Sequence, residues 1–380
     1  MVEIISDNLI SPLGTTSEEN YQNVKAGASG IRTYDSLFGI DDKFSCGKMD
    51  DALIDSEFGA VVGADGDFTR LEKLALISTT KAIRNAGIDV SSPDVKFYLS
   101  TTKGNVGLLD EGVTDSNKLY LHNTARLISS HFGNKVWPLT ISNACISGVN
   151  AIIAASRELE AGRIEYAVVT GVDVLSKFIL SGFSCLKSLS SKPCRSFDID
   201  RNGLNLGEAA ATVVLRKSNG EGSNIHFVKG AIRNDAYHIS SPSRTAEGSF
   251  NALNDVLQGV DKEQIAFINA HGTATFFNDE MESVAIDRIG LNNTPTNSFK
   301  GYFGHTLGAA GVLETIISKY SILDNTVIKT LGYETLGVSR KINVAAENAD
   351  TDKSYFVKLI SGFGGVNAAA LFKKGGAKWI

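Results

Sequence analysis

The sequence predicts an α/β protein in which helices cover the sheets, folded as two lobes around a continuous core. Two observations predict it. Short apolar runs bounded by turn-forming residues alternate with helical patterns from one end of the chain to the other. No Pro- or Ser-rich linker separates the lobes, and 380 residues are ample for a large core. The softest boundary is Ser218–Ser223 (SNGEGS), near the middle.

The strand-like runs are Tyr166–Thr170, Ala211–Leu215, Ile265–Ala270 and Tyr355–Ile360. The clearest helix follows Cys145, where Val149, Ile152, Ile153 and Leu159 recur at helical spacing and Gly162 supplies a stop. A second helical pattern follows His305 through Leu307, Val312, Ile316, Ile317, Tyr320 and Ile322. No repeat of solenoid length is present.

Composition narrows the function classes. Apolar residues make up 43% and charged residues 21%, ordinary for a soluble globular chain. A formal net charge of -5 argues against an enzyme built around nucleic acid. No run reaches the ~18 apolar residues of a membrane span, and the Met1 end lacks the pattern of a signal peptide. Four scattered cysteines (Cys46, Cys145, Cys185, Cys194) with no CxxC fit reduced thiols in a cytoplasmic protein, with no metal site expected.

Four segments carry candidate chemistry. Cys145 sits in Ile141-Ser-Asn-Ala-Cys-Ile-Ser-Gly148, between a strand-like run and the helix. At such an elbow the helix dipole is expected to lower the thiol pKa and favour the thiolate, although a lone cysteine is more often a small buried apolar residue. Gly148 would let another backbone approach closely. His271, in Ile268-Asn-Ala-His-Gly-Thr-Ala-Thr275, ends a strand-like run, where ligands enter α/β folds. Thr273 and Thr275 stand ready to hydrogen-bond an amide-bearing substrate, and Asp279 and Glu282 follow as solvated helix charges or a cap. His305 lies in Phe299-Lys-Gly-Tyr-Phe-Gly-His-Thr-Leu-Gly-Ala-Ala-Gly311, where the glycines call for a tight loop before the helix that carries Glu314. Lys300 in that loop is either a surface charge or a group that tunes an imidazole or carboxylate. Finally, Ser361-Gly-Phe-Gly-Gly-Val-Asn-Ala368 suits backbone N–H groups aimed at a developing oxyanion. A phosphate loop is the rival there, but the Lys-Ser/Thr ending of a Walker loop is missing.

Taken together, these segments resemble the β-ketoacyl-acyl carrier protein synthases, condensing enzymes of the thiolase fold. The resemblance runs nearly end to end. It covers Ser11-Pro-Leu-Gly14, Ala26-Gly-Ala-Ser-Gly-Ile31, Asn143-Ala-Cys145, Phe197-Asp-Ile-Asp-Arg-Asn-Gly203 and Gly207-Glu208. It continues through Asn269-Ala-His-Gly-Thr273, Lys300 to Gly311, and Gly362-Phe-Gly-Gly365. It implies an α/β thiolase-like fold with duplicated halves in a layered αβαβα architecture, residues 1–217 bearing the nucleophilic cysteine and 218–380 the histidines.

By the same resemblance, Cys145 accepts an acyl group from the phosphopantetheine of an acyl carrier protein, and His271 and His305 promote decarboxylation of a malonyl thioester. Lys300 balances charge with Glu314 as ionic partner. The N–H groups of Cys145 and Phe363 form the oxyanion hole, and the Phe363 ring gates the site. Thr273 and Thr275 bind pantetheine, while Asp279 and Glu282 support the site. No cofactor is implied beyond the phosphopantetheine that arrives on the substrate. The implied partners are an acyl carrier protein and a second subunit, in a homodimer or a heterodimer with a related chain.

The departures from the family pattern are Ala209 for a usual glycine, Phe276 for a usual proline, a short stretch at Thr102–Val136, and no proline-rich turn in Ile328–Asn343. None removes a catalytic group, but they open a second reading as a ketosynthase of aryl polyene or polyketide pigments. A thiolase is disfavoured because Gly362-Phe-Gly-Gly365 lacks a second cysteine, and a starter-type synthase because His305 stands where an asparagine is usual. A silent chain-length-factor-like subunit would have lost Cys145.

Overall fold

The computed structural model describes residues 1–114, 116–218 and 224–376. Most of the soft boundary predicted at Ser218–Ser223 lies outside the described residues. Ten strands form the main sheet, and they divide into two fives of the same design. The first five run, edge to seam, Leu139–Ile141, Val95–Ser100, Tyr166–Asp173, Ala209–Lys217 and Val2–Ile10. The second five run Thr296–Asn297, Ile265–Asn269, Tyr355–Gly362, Val366–Lys374 and Ile225–Asn234. In each five, the three strands nearest the edge are parallel and the last two junctions are antiparallel. Chain order across each is therefore third, second, fourth, fifth, first. The halves join where Val2–Ile4 pairs antiparallel with Ile225–Phe227.

Helices complete the layers. Arg70–Ala86 covers the outer face of the first five strands, and Glu247–Leu257 covers the second. Between the two five-stranded halves of the sheet lie Ser147–Glu160 and Ala310–Leu323, which pack on each other and on strands of both halves. The order helix, sheet, helix, sheet, helix is the αβαβα stack with duplicated halves that the sequence led us to expect. Strands buried on both faces read as unbroken apolar runs, which is why they were visible in the sequence.

The two central helices touch through glycine. A Cβ on Gly311 would lie 2.4 Å from the Val149 backbone nitrogen, and one on Gly148 would lie 2.8 Å from that of Val312. Only residues without side chains allow the backbones so close.

Two local expectations change. The pattern after His305 begins with a 3-10 turn at Leu307–Ala309, and the α-helix starts at Ala310, because Leu307 sits at a φ of 52° that no α-helix accommodates. The loop expected at Lys300 begins with one helical turn, Lys300–Phe303, stopped by Gly304 at a φ of 73°.

Candidate active site

The duplicated topology brings one end of each half to the same point. Cys145 follows the third strand of the first half and precedes the helix Ser147–Glu160. His305 stands in the corresponding place of the second half, after Thr296–Asn297 and before Ala310–Leu323. His271 leaves the strand Ile265–Asn269. The sulfur of Cys145 and one ring nitrogen each of His271 and His305 lie within 4.8 Å of one another, and all three residues are buried.

Within that cluster His305 Nε2 is 3.0 Å from Cys145 Sγ. The other ring nitrogen, Nδ1, accepts the Leu307 N–H at 3.3 Å. A nitrogen that accepts cannot carry the proton of a neutral imidazole, so the proton belongs on Nε2 and faces the sulfur. The His271 ring stands edge-on to His305, with centroids 4.9 Å apart and planes at 83°. Backbone strain concentrates here. Ala144, Ala274 and Leu307 have φ values of 47°, 60° and 52°, conformations that L-residues hold only where surrounding contacts impose them.

The electrostatics follow from burial. Removal from water pushes the Cys145 thiol up to about 11, opposed by the charges of Lys300 and Lys103 and by the Phe363 N–H. This corrects the expectation of a thiol lowered at a helix start, because the sulfur is enclosed. Burial, reinforced by Lys300 and Lys358, holds both imidazoles well below the usual histidine range. They are neutral donors at neutral pH.

Lys300 forms an ion pair with one oxygen of Glu314, and both side chains are buried. Burial opposes ionisation of Glu314, but Lys300 and Lys358 outweigh it and keep the carboxyl below its usual range. Glu282 and Asp279 are not solvated charges. Glu282 accepts the N–H groups of His271 and Gly272, both at 2.7 Å, and Asp279 accepts those of Thr273 at 3.0 Å and Phe197 at 2.7 Å. Both carboxyls are raised by burial, Asp279 to about 6. The pair grips the loop that delivers His271.

A cleft of about 300 Å³ leads from Cys145, His271 and His305 to the surface past Thr273, Thr275 and Phe363. The hydroxyls of Thr273 and Thr275 lie 2.9 Å apart on its wall. Phe363 is 40% exposed and stacks on Phe183 at 5.9 Å, and both rings line the cleft. Gly362 packs against the Cys145 amide, where an added Cβ would lie 3.0 Å from the nitrogen.

Every site residue expected from sequence thus falls in or beside one cluster. Lys358 was missed. It is fully buried, 2.6 Å from the second oxygen of Glu314. The available signal was a single cation inside the otherwise apolar run Tyr355–Ile360. Phe183, on the helix Lys177–Cys185, was also missed and carried no signal of its own.

Comparison with known proteins agrees with this arrangement. Family models for the N-terminal and C-terminal domains of beta-ketoacyl synthase match residues 1–220 and 226–334. The chain is similar to 3-oxoacyl-[acyl-carrier-protein] synthase 2 of Vibrio cholerae, 29% identical over 415 residues covering 98% of this chain and 99% of that one. The corresponding synthase of Staphylococcus aureus is 26% identical over 410 residues, covering 98% of each. Both alignments exceed the 380 residues of this chain, so the relatives carry insertions. Among solved structures, a beta-ketoacyl synthase from Burkholderia phymatum superposes with a TM-score of 0.83 at 25% identity, over 98% of this chain and 99% of that one. A ketosynthase–chain length factor complex from Xenorhabdus doucetiae matches with a TM-score of 0.84 at 24% identity, over 98% of both chains. With its two domain models matched in order and its cysteine–histidine cluster assembled from both halves, the chain belongs to the beta-ketoacyl synthase family of condensing acyltransferases.

Proposed function

We propose that this protein is a 3-oxoacyl-acyl carrier protein synthase that joins an acyl thioester to malonyl-acyl carrier protein by decarboxylating Claisen condensation. The observation that carries the reading is the 3.0 Å approach of His305 Nε2 to Cys145 Sγ, with His271 beside them at the base of an open cleft.

The geometry supports a role for each residue. The Nε2–H of His305 stabilises the Cys145 thiolate, which attacks the carbonyl of the incoming thioester. The N–H groups of Cys145 and Phe363 receive the oxyanion, and the carrier's sulfur leaves as the thiol with the proton that Cys145 gave up. Malonyl thioester then enters along the Thr273 and Thr275 wall, which offers hydrogen bonds to pantetheine amides. Its C–C bond breaks, carbon dioxide departs, and the enolate oxygen accepts hydrogen bonds from the neutral imidazoles of His271 and His305. The enolate carbon attacks the acyl-cysteine carbonyl, Cys145 leaves as thiolate, and the product is a 3-ketoacyl thioester two carbons longer. Lys300 with Glu314 sets the charge around the imidazoles, and Phe363 gates the cleft between the half-reactions.

An acyl carrier protein is the partner this reaction requires. A second subunit is supported by the edge strand Leu139–Ile141, unpaired on its outer side among the described residues and flanked by Trp137 at 63% exposure. Homodimer and heterodimer both fit that edge. Among the described residues no helix is long and apolar enough to cross a membrane.

Intact-protein mass spectrometry with a panel of acyl-carrier-protein thioesters, beside Cys145→Ser, tests the reading. A Cys145-dependent acyl adduct supports it, and the preferred acyl group separates fatty-acid from aryl polyene or polyketide duty. No adduct with any acyl group would instead favour a silent chain-length-factor-like subunit.

A further inference from the structure

Lys358 occupies the middle of the strand Tyr355–Gly362, with its side chain wholly enclosed. Its Nζ lies 2.6 Å from Glu314 Oε2 and donates to the carbonyl oxygens of Leu359 at 3.0 Å and of Asn269 and Ala270 at 3.3 Å each. Lys300 holds the other oxygen of the same carboxylate. Two buried ammonium groups therefore share one carboxylate. A buried pair needs only one cation, and a second, uncompensated one is costly to enclose. The carbonyls it meets offer partial compensation, and their location indicates a purpose. Asn269 and Ala270 immediately precede His271, while Glu282 accepts the N–H groups of His271 and Gly272. The peptide bearing His271 is thus held by a cation on its carbonyls and an acid on its amides.

We infer that Lys358 is a positioning residue for the decarboxylation half-reaction: it fixes the His271 peptide and adds a second cation on Glu314 beside the imidazoles that would meet the anionic malonyl group. The inference rests on the condensing reading above. The charge has a second effect. Lys358 is among the groups that hold both imidazoles low, alongside burial and Lys300. The other groups around the imidazoles are Cys145 and Glu314, Glu282 and Asp279 from the helix Phe276–Arg288, and, on the far side of Cys145, Asp173 and Lys103.

The test measures Cys145 acylation and carbon dioxide release from malonyl-acyl carrier protein separately, across pH. In Lys358→Met, carbon dioxide release should fall about tenfold or more while acylation stays within about threefold. The acid limb of decarboxylation should move to higher pH by about one unit, because losing a nearby cation lets the imidazoles protonate sooner. The double variant Lys358→Met/Glu314→Gln removes one cation and the carboxylate charge together, so the net charge stays that of the wild type and no carboxylate is left half-paired. Its acid limb should lie at the wild-type pH while its rate stays low, because the carbonyl grip is gone. That variant is read alone if the single one does not fold. Wild-type ratios of decarboxylation to acylation in these variants, with an unmoved acid limb in Lys358→Met, overturn the proposal. A wild-type protein that acylates Cys145 but releases no carbon dioxide overturns the condensing reading, and the assignment of Lys358 with it.

Discussion

His305 Nε2 donates towards Cys145 Sγ across 3.0 Å because the Leu307 N–H occupies the opposite ring nitrogen. The contact makes His305 a fixed donor and leaves it no lone pair aimed at the thiol. Replacing His305 by Ala should therefore cut malonyl decarboxylation by roughly 10²–10³, the usual loss for one oxyanion donor. Acylation of Cys145 should survive at a reduced rate, and Cys145→Ala should abolish it. Normal decarboxylation by the His305 variant would remove its assigned role.

Thiol reactivity should report the enclosure of the sulfur. With the thiol pushed up to about 11, alkylation of Cys145 by iodoacetamide should keep rising with pH, about tenfold per unit, well beyond pH 9. A plateau near pH 8 would mean that a stabilised thiolate already prevails. Cys185 is exposed, so the rate must be followed on the Cys145 peptide by mass spectrometry.

At the crossing of the central helices, Gly311→Ala should destabilise the protein by about 1–3 kcal/mol, the ordinary cost of forcing atoms into a packed core. The added methyl would lie 2.4 Å from the Val149 backbone nitrogen, which has little room to withdraw. A urea titration measures the loss, and an unchanged midpoint would show that the helices separate easily.

Glu282→Gln keeps shape but loses half of its accepting capacity. One of the His271 and Gly272 N–H groups, each now 2.7 Å from a carboxylate oxygen, must lose its acceptor or meet an NH₂. Stability should fall by about 1–3 kcal/mol, the penalty of an unsatisfied buried donor. Decarboxylation should fall more than acylation, since the role proposed for His271 lies in the later step. Denaturation and the two half-reaction assays check the pair of effects.

Much of this site was legible because its residues sit at breaks in pattern. Cys145, His271 and His305 each interrupt an apolar run beside small residues, and the glycines around them mark places where backbones meet. Lys358 was not legible for the opposite reason. In a strand with one solvated face, a lysine between apolar neighbours reads as the outward residue, whereas Tyr355–Gly362 is covered on both faces. By residue type alone Asp279 and Glu282 read as solvated or capping charges, and only the resemblance made them supports; Asp279 accepts the N–H of Phe197, 82 residues away in sequence. The thiol's acidity was misjudged because an elbow position says nothing of how tightly the sulfur is enclosed.

The strand that delivers Phe363 is the fourth of its half, so the proposed oxyanion donor is made more than 200 residues after Cys145. During synthesis, Cys145 leaves the ribosome long before its partners exist. Until the second sheet closes over the central helices, the thiol has neither an imidazole donor nor a cleft to receive a thioester. An incomplete chain therefore carries an ordinary exposed thiol, and the enclosed cysteine–histidine pair exists only in the finished molecule.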